Sequence, residues 1–139
     1  MRILVIDGQG GNIGQRLVKT ITERFSSIEL YAVGTNSIAT GAMIKGGASS
    51  VATGENAVIV NSRKADIIVG PIGIVIADAL MGEVTHKMAC AVGSSDAKKV
   101  LIPLNKCDTL VAGIGSSSIN ALIDDAIAKI DDIIKSVDN

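Results

Sequence analysis

The stretch Met1–Arg16, MRILVIDGQGGNIGQR, decides the fold. Arg2 to Asp7 is an apolar, β-rich run, and Gly8, Gly10, Gly11 and Gly14 follow it directly. From Gly14 to Phe25 the apolar residues Leu17, Val18, Ile21 and Phe25 recur at helical spacing. A strand, a glycine-rich turn and a helix in that order form the first unit of a nucleotide-binding α/β domain. Residues without a Cβ let the backbone approach a phosphate closely, and a helix N-terminus supplies N–H groups and partial positive charge. Gly8, Gln9, Gly10, Gly11, Asn12 and Gly14 are therefore the candidate phosphate-binding residues.

Outward from this unit, strands and helices keep alternating. Ile28 to Val33 reads as a strand, Ile38 to Lys45 as a helix closed by Gly46-Gly47, and Ala48 to Val51 as a weak strand. Thr53-Gly54 then opens a helix to Lys64, and Asp66 to Gly70 (DIIVG) is a strand that Pro71 ends. The pattern predicts a helix over Ile74 to Met81, a break at Gly82 to Val84, and a helix capped by Thr85 to about Val92. Strands follow at Lys99 to Leu104 and Thr109 to Gly113. Ser116, Ser117 and Ser118 offer caps for a last helix whose Ile119, Leu122, Ile123, Ile127, Ile130, Ile133, Ile134 and Val137 share one broad face. With right-handed crossovers, this order implies one single-domain, three-layer, Rossmann-like α/β fold over residues 1–139, its sheet mostly parallel.

The spacing Gly8-x-Gly10-x-x-x-Gly14 is one residue longer than the common dinucleotide fingerprint. Such a site also places an acid about 20 residues on, at the end of the second strand, against the ribose. Here Gly34-Thr35-Asn36 stands in that place, and Glu29 lies at the wrong end of the strand. Thr35 and Asn36 are candidates for ribose or base contact through their side-chain hydrogen bonds. Gly70 and Gly73 end a strand at the same sheet edge, beside the switch in strand order, and are candidates to pass beneath a ligand. Asn105-Lys106-Cys107-Asp108 spells N-K-x-D, a tetrapeptide that reads guanine through its carboxylate, which makes Asn105 and Asp108 base-contact candidates. A P-loop is excluded, because Gln15 and Arg16 occupy the places of its Lys and Ser/Thr. The ligand expected is thus a nucleotide of unknown base, with guanine nucleotides and NAD(P) as candidates.

Two resemblances bear on this reading. The opening residues resemble the first strand and loop of the tubulin and FtsZ family, where a similar Gly-Gln-x-Gly-Asn run contacts GTP; the matching residues are Gly8, Gln9, Gly11 and Asn12, followed by Ile13 and Gly14. IELYAVGTN, ending at Asn36, and ADIIVG at 65–70 are similar to later strands of that family. Where it carries a glycine-threonine phosphate loop, however, this chain has Gly70-Pro71-Ile72-Gly73-Ile74, and the resemblance implies no polymerisation. As a whole, through VIDGQGG, GTNSIAT, ATGENA, GPIGI and IPLNKC, the chain resembles a family of small bacterial proteins known only as a domain of unknown function. That likeness implies one domain and no assigned activity.

Composition narrows the partners. Thirteen basic and 14 acidic residues give a net charge of -1, without a groove-sized basic patch, and Phe25 and Tyr31 are the only aromatics, so nucleic acid is not expected. No apolar run reaches the ~18 residues of a membrane span, and Cys90 and Cys107 read as reduced thiols, so a cytoplasmic protein is expected. One histidine and two distant cysteines provide no metal cluster. His86 reads as a solvated histidine, while Asp78, inside IVIADALM, faces a cleft, a subunit partner or solvent. No residue can be named as catalytic. The sequence therefore points first to a nucleotide-binding sensor or accessory subunit. Its alternatives are an NAD(P)-dependent oxidoreductase completed across a homodimer, and an oligomeric interaction module joined through Ile72 to Met81.

Overall fold

Ile3, Leu4, Val5 and Ile6 are all almost fully buried, so the first strand has no solvent-facing side. A strand apolar on both faces must lie inside a parallel sheet with helices above and below. The computed structural model, which describes residues 1–104, 109–115 and 117–138, has that arrangement. Its elements are β1 (Arg2–Asp7), α1 (Asn12–Arg24), β2 (Glu29–Gly34), α2 (Ser37–Lys45), β3 (Ser50–Thr53) and α3 (Glu55–Lys64). After β4 (Ile67–Pro71) and a 3-10 turn (Ile72–Val75) come α4 (His86–Gly93), β5 (Lys98–Ile102) and α5 (Ile119–Asp138).

The five strands are ordered β3-β2-β1-β4-β5 and every pairing is parallel. β1 is central, with Ile3 beside both Leu30 and Ile67, and Val5 beside both Ala32 and Val69. Because successive strand residues face opposite ways, Ile3 and Val5 join the core beneath α1, α2 and α5, whereas Leu4 and Ile6 join the core beneath α3 and α4. Strand order reverses between β1 and β4, and this switch point leaves a crevice outside their C-terminal ends.

The helices form where period and caps agree. Ile13, Leu17, Val18 and Ile21 put one stripe of α1 on the sheet, and Ile123, Ala126, Ile127 and Ile130 do the same for α5. Asn36 caps α2 by accepting from the Ala39 N–H at 2.9 Å, and Thr85 caps α4 by accepting from Met88 at 3.1 Å. Among the described residues, no helix is long and apolar enough to cross a membrane.

Two expected elements are absent. The segment expected as a helix over Ile74 to Met81 is the 3-10 turn followed by a chain of turns, in which Asp78, Leu80 and Met81 take positive φ. Ile74, Ala79 and Val84 are buried, but a loop closed by an Asp78 N–H to Val84 carbonyl bond of 2.7 Å buries them, not a helical stripe. The expected strand Thr109 to Gly113 does not join the sheet: it is irregular, with a turn at 112–113 and Gly113 at φ 84. The third strand also starts later than expected, at Ser50.

α5 returns to the sheet after a long connection, so its docking is the contact most open to test. Ile130 is completely buried against the core, and Ile130→Ala should cost about 2–5 kcal/mol of unfolding free energy in urea denaturation. A loss below about 1 kcal/mol would show that α5 is not packed there.

Candidate functional site

At the end of β1 the chain turns through Gly8–Gly11 into α1, and Asp7 holds the turn closed. Its carboxylate, almost fully buried, accepts the Gly8 N–H at 2.8 Å with Oδ1 and the Gly14 N–H at 2.7 Å with Oδ2. The Gly11 N–H returns to the Gly8 carbonyl at 3.0 Å. The N-cap residue of α1, Gly11, supplies no side-chain cap, and the first turn carries no acid, so Asp7 at Gly14 is the side-chain acceptor found there among the described residues. The N–H groups of Gly10, Asn12 and Ile13 make no hydrogen bond with the described residues. Three donors thus lie at the positive end of a helix dipole without an acceptor among the described residues.

The glycines here do different work. Gly11 has φ +76, and a Cβ on it would lie 2.7 Å from the Ala39 Cα, so close approach of α1 to α2 requires glycine. A Cβ on Gly8 would strike Thr35 and Leu80, and one on Gly14 would strike Met43 and Asp7. Gly10 is the exception: a side chain there would meet nothing within 4 Å, and the residue itself lines the crevice.

One strong participant, Glu83, carries no sequence motif. It comes from the loop between the 3-10 turn and α4, and its Oε1 accepts the Gln9 N–H at 3.1 Å, the Thr35 hydroxyl at 2.9 Å and the Asn36 side-chain amide. Asn36 also donates to the Gln9 carbonyl at 3.0 Å, tying the ends of β1 and β2 together. Burial pushes the Glu83 carboxyl up, but the bonds from Asn36, Gln9 and Thr35 outweigh it and hold it below the ordinary glutamate value. The loop that presents it is knitted by its own backbone bonds, including Gly82 N–H to Asp78 and Glu83 N–H to Leu80. Only the three-dimensional path of this loop, through left-handed Asp78, Leu80 and Met81, brings residue 83 to residue 9.

The crevice beside the glycine turn is lined by Asp7 through Ile13, with Pro71, Leu80 and Leu104 opposite, and holds about 80 Å³. That is room for two or three waters or one phosphate-sized group. Gly8, Gln9, Gly10, Gly11 and Asn12 line it, and Gly14 sits behind them on Asp7. Thr35 and Asn36 do not line it; they are held on Glu83, whose carboxylate also takes the Gln9 N–H of the turn. Gly70 packs on the Ile6 carbonyl and Gly73 lines a smaller adjoining recess, so both back the site without touching the turn. Asn105 and Asp108 lie outside the described residues, as do Lys106 and Cys107. Thr53 faces Thr40 across 2.7 Å, away from the crevice. His86 is exposed, 3.2 Å from the equally exposed Asp78. A larger groove of about 580 Å³ runs along the edge strand β5 and α5, and its lysines are of the kind that guard a sheet edge.

Comparison with known proteins places the chain in a family. The model of the family described as Domain of unknown function (DUF3842) matches residues 2–135, and the chain belongs to it. Comparison with curated proteins finds no match. Among solved structures, the chain is similar to a dodecameric FMN-dependent UbiX-like decarboxylase from Escherichia coli O157:H7, at 19% identity and a TM-score of 0.46, over 93% of this chain and 75% of that one. Flavin and dodecamer are properties of that enzyme. These findings do not bear on the local likeness to tubulin and FtsZ.

Two outcomes follow from the geometry. Gly11→Ala should destabilise the fold by more than about 1 kcal/mol, whereas Gly10→Ala should stay within about 0.5 kcal/mol; equal costs in thermal unfolding would refute the sorting of these glycines. Because folding lowers the Glu83 pKa, its stabilising effect is present above the unfolded value of about 4.3 and is lost as pH falls through the folded one. The stability gap between wild type and Glu83→Gln should therefore be constant near neutrality and shrink in acid; a gap that widens in acid would contradict the assignment.

Proposed function

We propose that this family member is a nucleotide-binding protein that seats a phosphate on the β1–α1 glycine turn and serves as a sensor or accessory subunit. The observation that carries the reading is the open N-terminus of α1, where the Gly10, Asn12 and Ile13 N–H groups lack an acceptor among the described residues at the switch-point crevice. In this reading Gly8, Gln9, Gly10, Gly11, Asn12 and Gly14 form the seat, Thr35 and Asn36 border the ribose, and Gly70 and Gly73 shape the floor. Leu104 lines the crevice and the N-K-x-D tetrapeptide begins at the next residue, which supports Asn105 and Asp108 as base contacts.

Gly10→Asp is the direct test, because the new carboxylate enters open space and sets a fixed anion in the seat. In calorimetric titrations with GTP, ATP, NAD and NADP, wild type should bind at least one. Gly10→Asp should bind it at least tenfold more weakly with an unchanged melting temperature. Absence of heat with all four, or equal binding by the variant, would refute the proposal.

A further inference from the structure

We propose that Glu83 is the specificity-determining residue of this site, an acceptor for the ribose 2′,3′-diol that selects nucleotides with an unsubstituted 2′-hydroxyl. The inference rests on the preceding reading of the glycine turn as a phosphate seat. Dinucleotide-binding folds take this acceptor from the end of the second strand, where the present chain has only Gly34, Thr35 and Asn36. Glu83 brings a carboxylate to that place from another element, since two of its donors are Thr35 and Asn36 themselves and the third is the Gln9 N–H inside the turn.

The two oxygens of Glu83 are unequally used. Oε1 takes all three donors, which fixes the carboxylate in position. Oε2 has only a share of the Gln9 N–H, at 3.2 Å, and retains lone pairs for a hydroxyl donor. Its three partners are neutral, and none of the ion pairs among the described residues includes Glu83, so no described cation offsets its charge. An ionised carboxylate there accepts from a diol and repels a 2′-phosphate. The site is thus polarised: N–H donors at Gly10, Asn12 and Ile13 receive an anion, and the Glu83 rim receives hydroxyls and rejects a second anion.

The test is calorimetry on the whole chain with pyrophosphate, ADP, GDP, their 2′-deoxy analogues, and the pair NAD and NADP. Wild type should bind the tighter of ADP and GDP about tenfold or more better than its 2′-deoxy form, and NAD better than NADP. In Glu83→Gln both ratios should fall toward one, with the circular dichroism spectrum of the variant matching that of wild type to show that the chain is folded. Ratios near one in wild type, a comparison that needs no variant, would overturn the role of Glu83 while pyrophosphate binding upheld the seat. Ratios unchanged in Glu83→Gln would also overturn it. Failure of pyrophosphate and every nucleotide to bind wild type would overturn the seat itself, and this inference with it.

Discussion

The carboxyl edge of the sheet depends on one buried carboxylate. Asp7 spans the glycine turn from Gly8 to Gly14 and fixes where β1 stops and how α1 departs. A buried carboxylate is costly unless it is hydrogen-bonded, and the two backbone N–H groups offset part of that cost while satisfying donors that the turn would otherwise orphan. Asp7 takes the Gly14 donor, while the N–H groups of Gly10, Asn12 and Ile13, residues that line the crevice, keep no acceptor among the described residues. One interaction therefore both closes the turn and leaves part of the helix terminus open.

A second carboxylate then sets the limits of that opening. Glu83 reaches the other flank of the turn on a loop with three non-glycine residues at positive φ, a conformation that costs of order 1–2 kcal/mol per residue. Buried Ile74, Ala79 and Val84 anchor the loop to the core under α3 and α4, and Asp78 and Val84 close it across its base. Strain held in place by surrounding packing is a feature of functional segments more than of connecting ones. With Asp7 behind and Glu83 beside it, the donor-rich gap at Gly10 is narrow and chemically distinct from its margins.

The fold was readable in the sequence because its main signals are local. The runs RILVID and DIIVG, the stripe of α1 and the caps at Asn36 and Thr85 each fix an element within a few residues, and parallel order follows from their alternation. The glycine turn was legible for the same reason. What escaped was the segment from Ile74 to Val84: apolar residues buried by a folded loop have no period of their own, and IVIADALM matches a helix as well as it matches that loop. Glu83 escaped with it. Its partners Gln9, Thr35 and Asn36 lie 74, 48 and 47 residues away, and no local pattern marks a residue whose role is fixed by so long a return. Asp7 was visible only as a strand end, because its role needs the path of the turn.

As an anion seat, the N–H groups of Gly10, Asn12 and Ile13 should respond directly to a bound phosphate. Amide NMR of the ¹⁵N-labelled chain, titrated with pyrophosphate, tests this at those atoms. Saturable shifts concentrated on Gly10, Asn12 and Ile13, with the Gly14 amide held on Asp7 changing least among the turn residues, are the predicted result. Shifts absent from these three amides, or spread evenly over the surface lysines and arginines, would contradict it.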